Sequence, residues 1–204
     1  MVPKSSCLTE EQEKRIDQLV EEFSVLFPDP SQPLGATDRV QHKIELLDST
    51  PIRQQPYRVG PFKRKEIESQ IQDLLRKGII RESNSDYSSP LVLVTKPGGG
   101  WRMCVDYRKV NEATKKFAYP IPNTSDILAA LHGVKYFSTM DLMSGFHQVK
   151  MEESSIPLTA FTSHLGLFEY VRMPFGLQNA SGTFEKLLEN ALKGQGTLCA
   201  NFHR

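Results

Sequence analysis

The sequence has 204 residues, 39% hydrophobic and 24% charged, which fits a globular chain with a sizeable core and argues against a disordered tail. Its formal net charge is only +1, so affinity for a polyanion has to come from local clusters such as Lys63, Arg64 and Lys65, Arg76 and Lys77, or Lys115 and Lys116, which ordinary solvated helix faces also carry. Cys7, Cys104 and Cys199 lie far apart without a Cys-x-x-Cys pair, arguing against a zinc site or a disulfide framework, and no stretch approaches the roughly 18 apolar residues of a membrane span.

No apolar run follows Met1, so the expectation is an intracellular protein of cytoplasm or nucleus rather than a secreted one. Thr9 and Gln12 form a capping box for a first helix, with Glu10 and Glu11 at its positive end. Ile16, Leu19, Val20, Phe23 and Phe27 continue it at helical spacing, and Pro28, Pro30 and Pro33 stop it. Residues 29–37 read as a linker, and residues 40–47 as an extended arm. A second helix begins near Pro61, carries Ile67, Ile71, Leu74 and Leu75 on one stripe, and closes on Gly78. Residues 91–94 and 101–105 are the strands of a hairpin with Pro97, Gly98, Gly99 and Gly100 at its tip. Thr124 caps a short helix to Leu131, and residues 136–140 make a strand leading into Asp141. Residues 159–162 pair with 168–173 across Gly166. Phe184, Leu187, Leu188, Ala191 and Leu192 form a last amphipathic helix that ends at Gly194.

Two places in this pattern can carry chemistry. The glycine-rich tip sets Lys96 and Arg102 beside a loop whose backbone can approach an anion, and Arg102 can grip phosphate oxygens with two donors. An ordinary surface hairpin would look the same, because three glycines without a following helix are not a phosphate loop. Asp141 stands at a strand end before a turn. That position suits a Mg²⁺ ligand, and it equally suits a plain turn-forming aspartate.

The run Trp101, Arg102, Met103, Cys104, Val105, Asp106, Tyr107 and Arg108, with Asn111 following, resembles the fingers of reverse transcriptases of gypsy-class long-terminal-repeat retrotransposons. Residues 136–148, centred on Met140, Asp141, Ser144, Gly145 and Phe146, resemble the same family, as do residues 159–162 and the run Met173, Pro174, Phe175, Gly176, Leu177, Gln178, Asn179 and Ala180. The blocks share the family's order and spacing, and the resemblance covers residues 8–192. It implies an α+β right-hand polymerase fold, fingers plus a partial palm, preceded by a helical N-terminal arm: residues 1–39 as helix and linker, 40–120 as fingers with the extended arm, and 121–204 as partial palm. It also implies template-directed DNA synthesis by two-metal nucleotidyl transfer, with Mg²⁺ as cofactor and primer–template nucleic acid and deoxynucleoside triphosphates as partners.

Carried over residue by residue, the resemblance makes Asp141 the first catalytic, metal-binding carboxylate. Lys96 and Arg102 hold the triphosphate, and the backbone from Leu142 to Phe146 lies under triphosphate and sugar. Phe146 is the ring that excludes a ribose 2′-hydroxyl, and Phe175 and Gly176 line the nucleotide pocket near the templating base. Trp101 and Tyr107 are read as packing residues, and Arg108 as a contact to template backbone.

The sequence departs from the family in places. Phe146 stands where Tyr is commoner, the tip lacks the usual cations, Leu158 replaces a Lys, and Ser181 with Gly182 replaces the usual Ala-Pro pair. No Asp-Asp pair occurs in the 204 residues, whereas the family completes its metal site with an aromatic-x-Asp-Asp turn further along. The expectation is that this polypeptide alone gives no primer extension and exposes an apolar palm face. A non-catalytic nucleic-acid-binding or interaction module co-opted from a retroelement is the alternative. A hydrolase built on His42 or His147 has no nucleophile motif behind it.

Overall fold

The computed structural model describes residues 8–27, 33–120, 123, 125, 128–129, 131–133, 135 and 138–193. The chain divides into two compact units, residues 1–33 and 34–204.

The first unit contributes α1 (Glu10–Glu22). The capping box forms as expected: Gln12 N donates to Thr9 Oγ1 at 3.3 Å, and Thr9 N donates to Gln12 Oε1 at 2.9 Å. Two otherwise unpaired helix-start amides are thus satisfied, and Glu10, Glu11 and Glu13 meet the positive end of the dipole. Its apolar residue Leu19 and the C-capping Phe23 are exposed.

The second unit opens with β1 (Thr37–His42), followed after a long connection by α2 (Pro61–Arg76). Pro61 occupies the first turn, where its missing N–H costs nothing. Gly78 ends the helix at φ +62°. Its N–H donates to Leu75 O and that of Ile79 to Leu74 O, both at 3.0 Å, a Schellman closure that satisfies two orphan carbonyls. Ile67 and Ile71 are the buried stripe, each contributing roughly 1.5–3 kcal/mol by burial.

A five-stranded sheet runs in the order β2 (Ile80–Glu82), β7 (Gly166–Tyr170), β6 (Phe161–Ser163), β3 (Ser89–Thr95), β4 (Trp101–Val105). All pairings are antiparallel except β3 with β6. A separate parallel pair joins β1 to β5 (Val149–Met151). Helices α3 (Arg108–Ala113) and α4 (Ala180–Ala191) complete the unit. The core gathers Ile71, Val110, Val149, Phe161, Met173 and Phe184 around Tyr107, whose hydroxyl donates to Thr159 O at 2.8 Å. Among the described residues no helix is long and apolar enough to cross a membrane.

Two of the expected strands shift. The strand over 159–162 begins only at Phe161, because Thr159 closes a 3₁₀ turn (Glu153–Thr159). The Thr159 hydroxyl donates to Ile156 O at 2.7 Å and accepts from Tyr170 N at 2.8 Å, which occupies groups a ladder would use. For the strand expected over 136–140, Tyr136 and Phe137 lie outside the described residues, and residues 138–140 are in no strand. A strand exists only where a neighbour takes its backbone groups, and no described residue does so there. The expected helix from Thr124 to Leu131, and Gly194, also fall largely outside the described residues.

Candidate functional site

Asp141 opens a tight turn. Gly145 N donates to Leu142 O at 3.2 Å, and His147 N to Ser144 O at 2.8 Å. Ser144 takes a left-handed conformation, φ +50°, the sole non-glycine to do so among the described residues. Gln148 Nε2 donates to Met143 O at 3.0 Å and ties the turn to its 3₁₀ continuation (Gly145–Gln148). Gly145 then passes under Phe184 so closely that a Cβ there would lie 2.7 Å from the ring. Asp141, Leu142 and Met143 are left exposed at the mouth of the turn, beside Met140 at 83% exposure.

Phe146 connects this turn to the next block. Its ring stacks on Phe175 with centroids 4.9 Å apart at 30°, and meets the edge of Phe184 at 5.1 Å and 64°. Phe175 is 52% exposed, so its outer side faces solvent. His147 packs edge-on to Phe175 at 5.5 Å, and its Nδ1–H donates to Met173 O at 3.2 Å. Burial pushes the His147 pKa down, so the ring is neutral.

The loop holding Phe175 is braced by two asparagines that sequence reading gave no role. Asn111 Nδ2 donates to Gly176 O at 2.7 Å, and Asn111 Oδ1 accepts from Gln178 N at 2.8 Å. Asn179 Nδ2 donates to Lys115 O at 2.9 Å and Asn179 Oδ1 accepts from Phe117 N at 3.1 Å. Gly176 sits at φ +90°, where a side chain would be strained, and packs near Val105 O and Tyr107. The only sequence signal for these braces was their place inside the matched blocks.

On the hairpin, Arg102 pairs across the ladder with Val94, and Lys96 N donates to Gly100 O at 3.1 Å while Gly99 and Gly100 take positive φ. Gln70 anchors it to α2, donating to Trp101 O at 3.1 Å and accepting from Met103 N at 2.9 Å. Lys63 Nζ lies 5.0 Å over the Trp101 ring. Tyr57, Asp106 and Arg108 form a cluster nearby. Arg108 donates to both Asp106 oxygens at 2.8 and 2.6 Å, and the Tyr57 hydroxyl to one at 2.9 Å. The guanidinium holds the Asp106 carboxyl well below the usual carboxylate range.

The structure therefore brings Phe146, Phe175 and Gly176 together next to the turn that bears Asp141 and Leu142. Among the described residues, no hydrogen bond, ion pair or ring contact joins Lys96 or Arg102 to them. No group of three or more His, Cys, Asp or Glu side chains converges on one point among those residues. Asp141 stands as a single exposed carboxylate. That donor fits Mg²⁺, which is commonly held by one or two carboxylates completed by substrate phosphates.

Residues 94–201 match the family described as "Reverse transcriptase (RNA-dependent DNA polymerase)". The Pol polyproteins of transposon 297 and transposon opus of Drosophila melanogaster are 39% identical over 191 residues and 40% identical over 190, covering 91% and 90% of this chain. The fold is similar to that of the foamy viral protease–reverse transcriptase solved with an RNA/DNA hybrid, at TM-score 0.81 and 28% identity over 92% of this chain. The expected α+β polymerase fold is thereby borne out. The chain spans about a fifth of each transposon polyprotein, 18% and 19%, and 25% of the foamy viral chain.

Proposed function

The chain belongs to the reverse transcriptase family, and from that premise we propose that it forms the nucleotide-side half of a template-directed DNA-synthesis site, with residues 40–120 as fingers and the residues from 121 onward as part of the palm. The observation that carries the reading is the Phe146–Phe175 stack, five residues past Asp141 and held by Gly145 against Phe184. It places a wall of aromatic surface beside an exposed carboxylate and a turn of backbone amides, which is what a deoxynucleoside triphosphate needs next to a metal ligand.

In this reading the Asp141 carboxylate would hold Mg²⁺. When bound, that ion would supply positive charge to the triphosphate oxygens and to the departing pyrophosphate. The chain's own residues do the rest. The turn amides from Leu142 to Phe146 lie along the triphosphate, and the Phe146 ring fills the space a ribose 2′-hydroxyl would enter. Phe175 and Gly176 cover the base-pair side. Lys96 and Arg102 close on the phosphates from the hairpin, which the glycine tip leaves free to bend. The partner strand pair is primer–template nucleic acid, in keeping with the hybrid bound by the foamy viral neighbour.

The test is a chimera in which residues 34–193 replace the matching segment of the transposon 297 reverse transcriptase. Mg²⁺-dependent primer extension that disappears with Asp141→Asn is expected. Extension undiminished by that substitution would overturn the assignment.

A further inference from the structure

A cleft of about 390 Å³, lined by neither Phe146 nor Phe175, opens between β1 with the segment following it, the segment following α3, and α4. Lys43, Lys115, Lys116 and Lys186 line it, with Glu45 as the one carboxylate among the lining residues, while Glu152 faces Lys43 from outside it and Glu189 is held by the Tyr119 hydroxyl. The whole chain carries only +1, so the four lysines are a local concentration. Glu45 is engaged by Lys43 at 3.0 Å and by Lys115 at 3.9 Å. Lys116 and Lys186 are exposed and in no ion pair among the described residues.

The walls are fixed. Lys115 N donates to Glu45 O at 2.7 Å, and Asn179 clamps both Lys115 and Phe117 through its amide. Phe117 lines the cleft at 51% exposure, its ring 5.7 Å from that of Tyr119. Gly182 of α4 runs close under this segment: a Cβ there would lie 3.1 Å from Tyr119 Cβ and in ordinary contact, 3.5 Å, with Phe117 Cδ1.

We propose that the cleft binds a single strand of nucleic acid, with Lys116 and Lys186 on its phosphodiesters and one unstacked base on the Phe117 ring. The proposal rests on the nucleic-acid reading above and adds a separate contact to it. A bare polyphosphate would have no use for an aromatic wall, and a duplex keeps its bases out of reach of one. Stacking on an aromatic ring inside a positive groove is how strands are held without sequence preference.

The experiment is fluorescence anisotropy with a short labelled oligodeoxythymidine, titrated with the full chain at several salt concentrations. For the Lys116→Ala/Lys186→Ala double variant, affinity should fall at least about tenfold, and the slope of log K against log salt should flatten by about 1.4, which is 0.7 per lost phosphate contact. Phe117→Leu keeps the apolar surface and should weaken the strand by roughly fivefold or more while leaving the salt slope unchanged. Blunt duplex binding should be unaffected by any of these substitutions. All three lysine and phenylalanine sites are exposed, and an unchanged thermal melt would confirm that each variant folds. If blunt duplex binds but neither variant weakens the strand, this proposal falls and the reading of the Asp141 site stands. If the chain binds no nucleic acid in any form, both fall. Displacement of the strand by inorganic tripolyphosphate or polyglutamate at equal charge concentration, with no effect of Phe117→Leu, would show a general anion or acidic-peptide surface and overturn the proposal.

Discussion

A methyl group on Gly145 would lie 2.7 Å from Cζ of Phe184. The turn after Asp141 and helix α4 are therefore in contact through bare backbone, and Phe184 is a core residue that has little room to retreat. Gly145→Ala should force the ring or the turn aside and destabilise the fold by about 1–3 kcal/mol, as overpacking does. Chemical denaturation of the full chain measures this. A variant as stable as the parent would mean that the turn yields freely and does not fix Phe146.

Much of the local architecture could be read from single residues. Thr9 with Gln12, Pro61 with Gly78, and the glycine tip between two alternating runs each act within a few positions, so sequence spacing records them. The parallel pairings could not be read this way. Thr37 meets Val149 and Ser89 meets Phe161 across long stretches of chain, and nothing local announces such a partner. Buried polar residues were missed for the same reason. Thr159 and His42 are fully buried because Tyr170 and Thr183 supply their hydrogen bonds, and those partners are defined only by the fold. At the candidate site, the aromatic neighbours of Phe146 and the two asparagines all lie in the matched blocks, whereas the bracing role of the asparagines is defined by geometry.

Asn111 holds the Phe175 loop with two hydrogen bonds of 2.7 and 2.8 Å. Asn111→Ala should cost about 1–3 kcal/mol, and Gly176→Ala about 1–2 kcal/mol, the latter because φ +90° disfavours a side chain. Both should also loosen Phe175 against Phe146. Urea melts give the stabilities, and an NMR loss of ring-to-ring contacts between the two phenylalanines would report the loosening.

His42 confers a pH dependence with a defined sign. It is 1% exposed, and burial lowers its pKa from 6.5 to about 4. The Thr183 hydroxyl donates to Asn179 O, so at 2.8 Å it accepts from His42 Nδ1–H, and the ring is neutral. Between pH 6.5 and 4 the unfolded chain binds a proton that the folded chain refuses. Stability is therefore full above pH 6.5 and falls as pH drops toward 4, by on the order of 3 kcal/mol. His147, also shifted down, adds with the same sign. Asp106, held far below its usual range, loses its contribution only at lower pH. Denaturation midpoints across this window should fall for the parent and flatten for His42→Gln. Equal slopes would remove His42 from the account.

Phe146 is half-buried between Phe175 and Phe184, so its position is set by packing and its remaining edge is what a nucleotide would meet. In the transposon 297 chimera, Phe146→Ala should raise the use of ribonucleotides relative to deoxynucleotides by at least about tenfold, equivalent to roughly 1.4 kcal/mol of lost exclusion. Phe146→Tyr should keep the parent's preference. Competition assays with paired ribo- and deoxynucleoside triphosphates read this directly. An alanine variant that extends primers more slowly but keeps the parent's preference would make Phe146 a packing residue only.

Asp141 makes no hydrogen bond or ion pair among the described residues and is exposed. A carboxylate with no structural work to do leaves the fold indifferent to its charge, so Asp141→Asn should change stability by less than about 0.5 kcal/mol. If it is a metal ligand, the same substitution should remove Mg²⁺-dependent extension in the chimera. It should also remove the Mg²⁺-dependent part of deoxynucleoside triphosphate binding to the chain itself. One carboxylate holds Mg²⁺ weakly without phosphate oxygens to complete the shell, so Mg²⁺ alone should give no saturable heat in calorimetry, and heat should develop when a triphosphate is present. A variant that binds Mg²⁺ and nucleotide as well as the parent would leave Asp141 as an ordinary turn residue. A variant that unfolds would contradict its isolation in the structure.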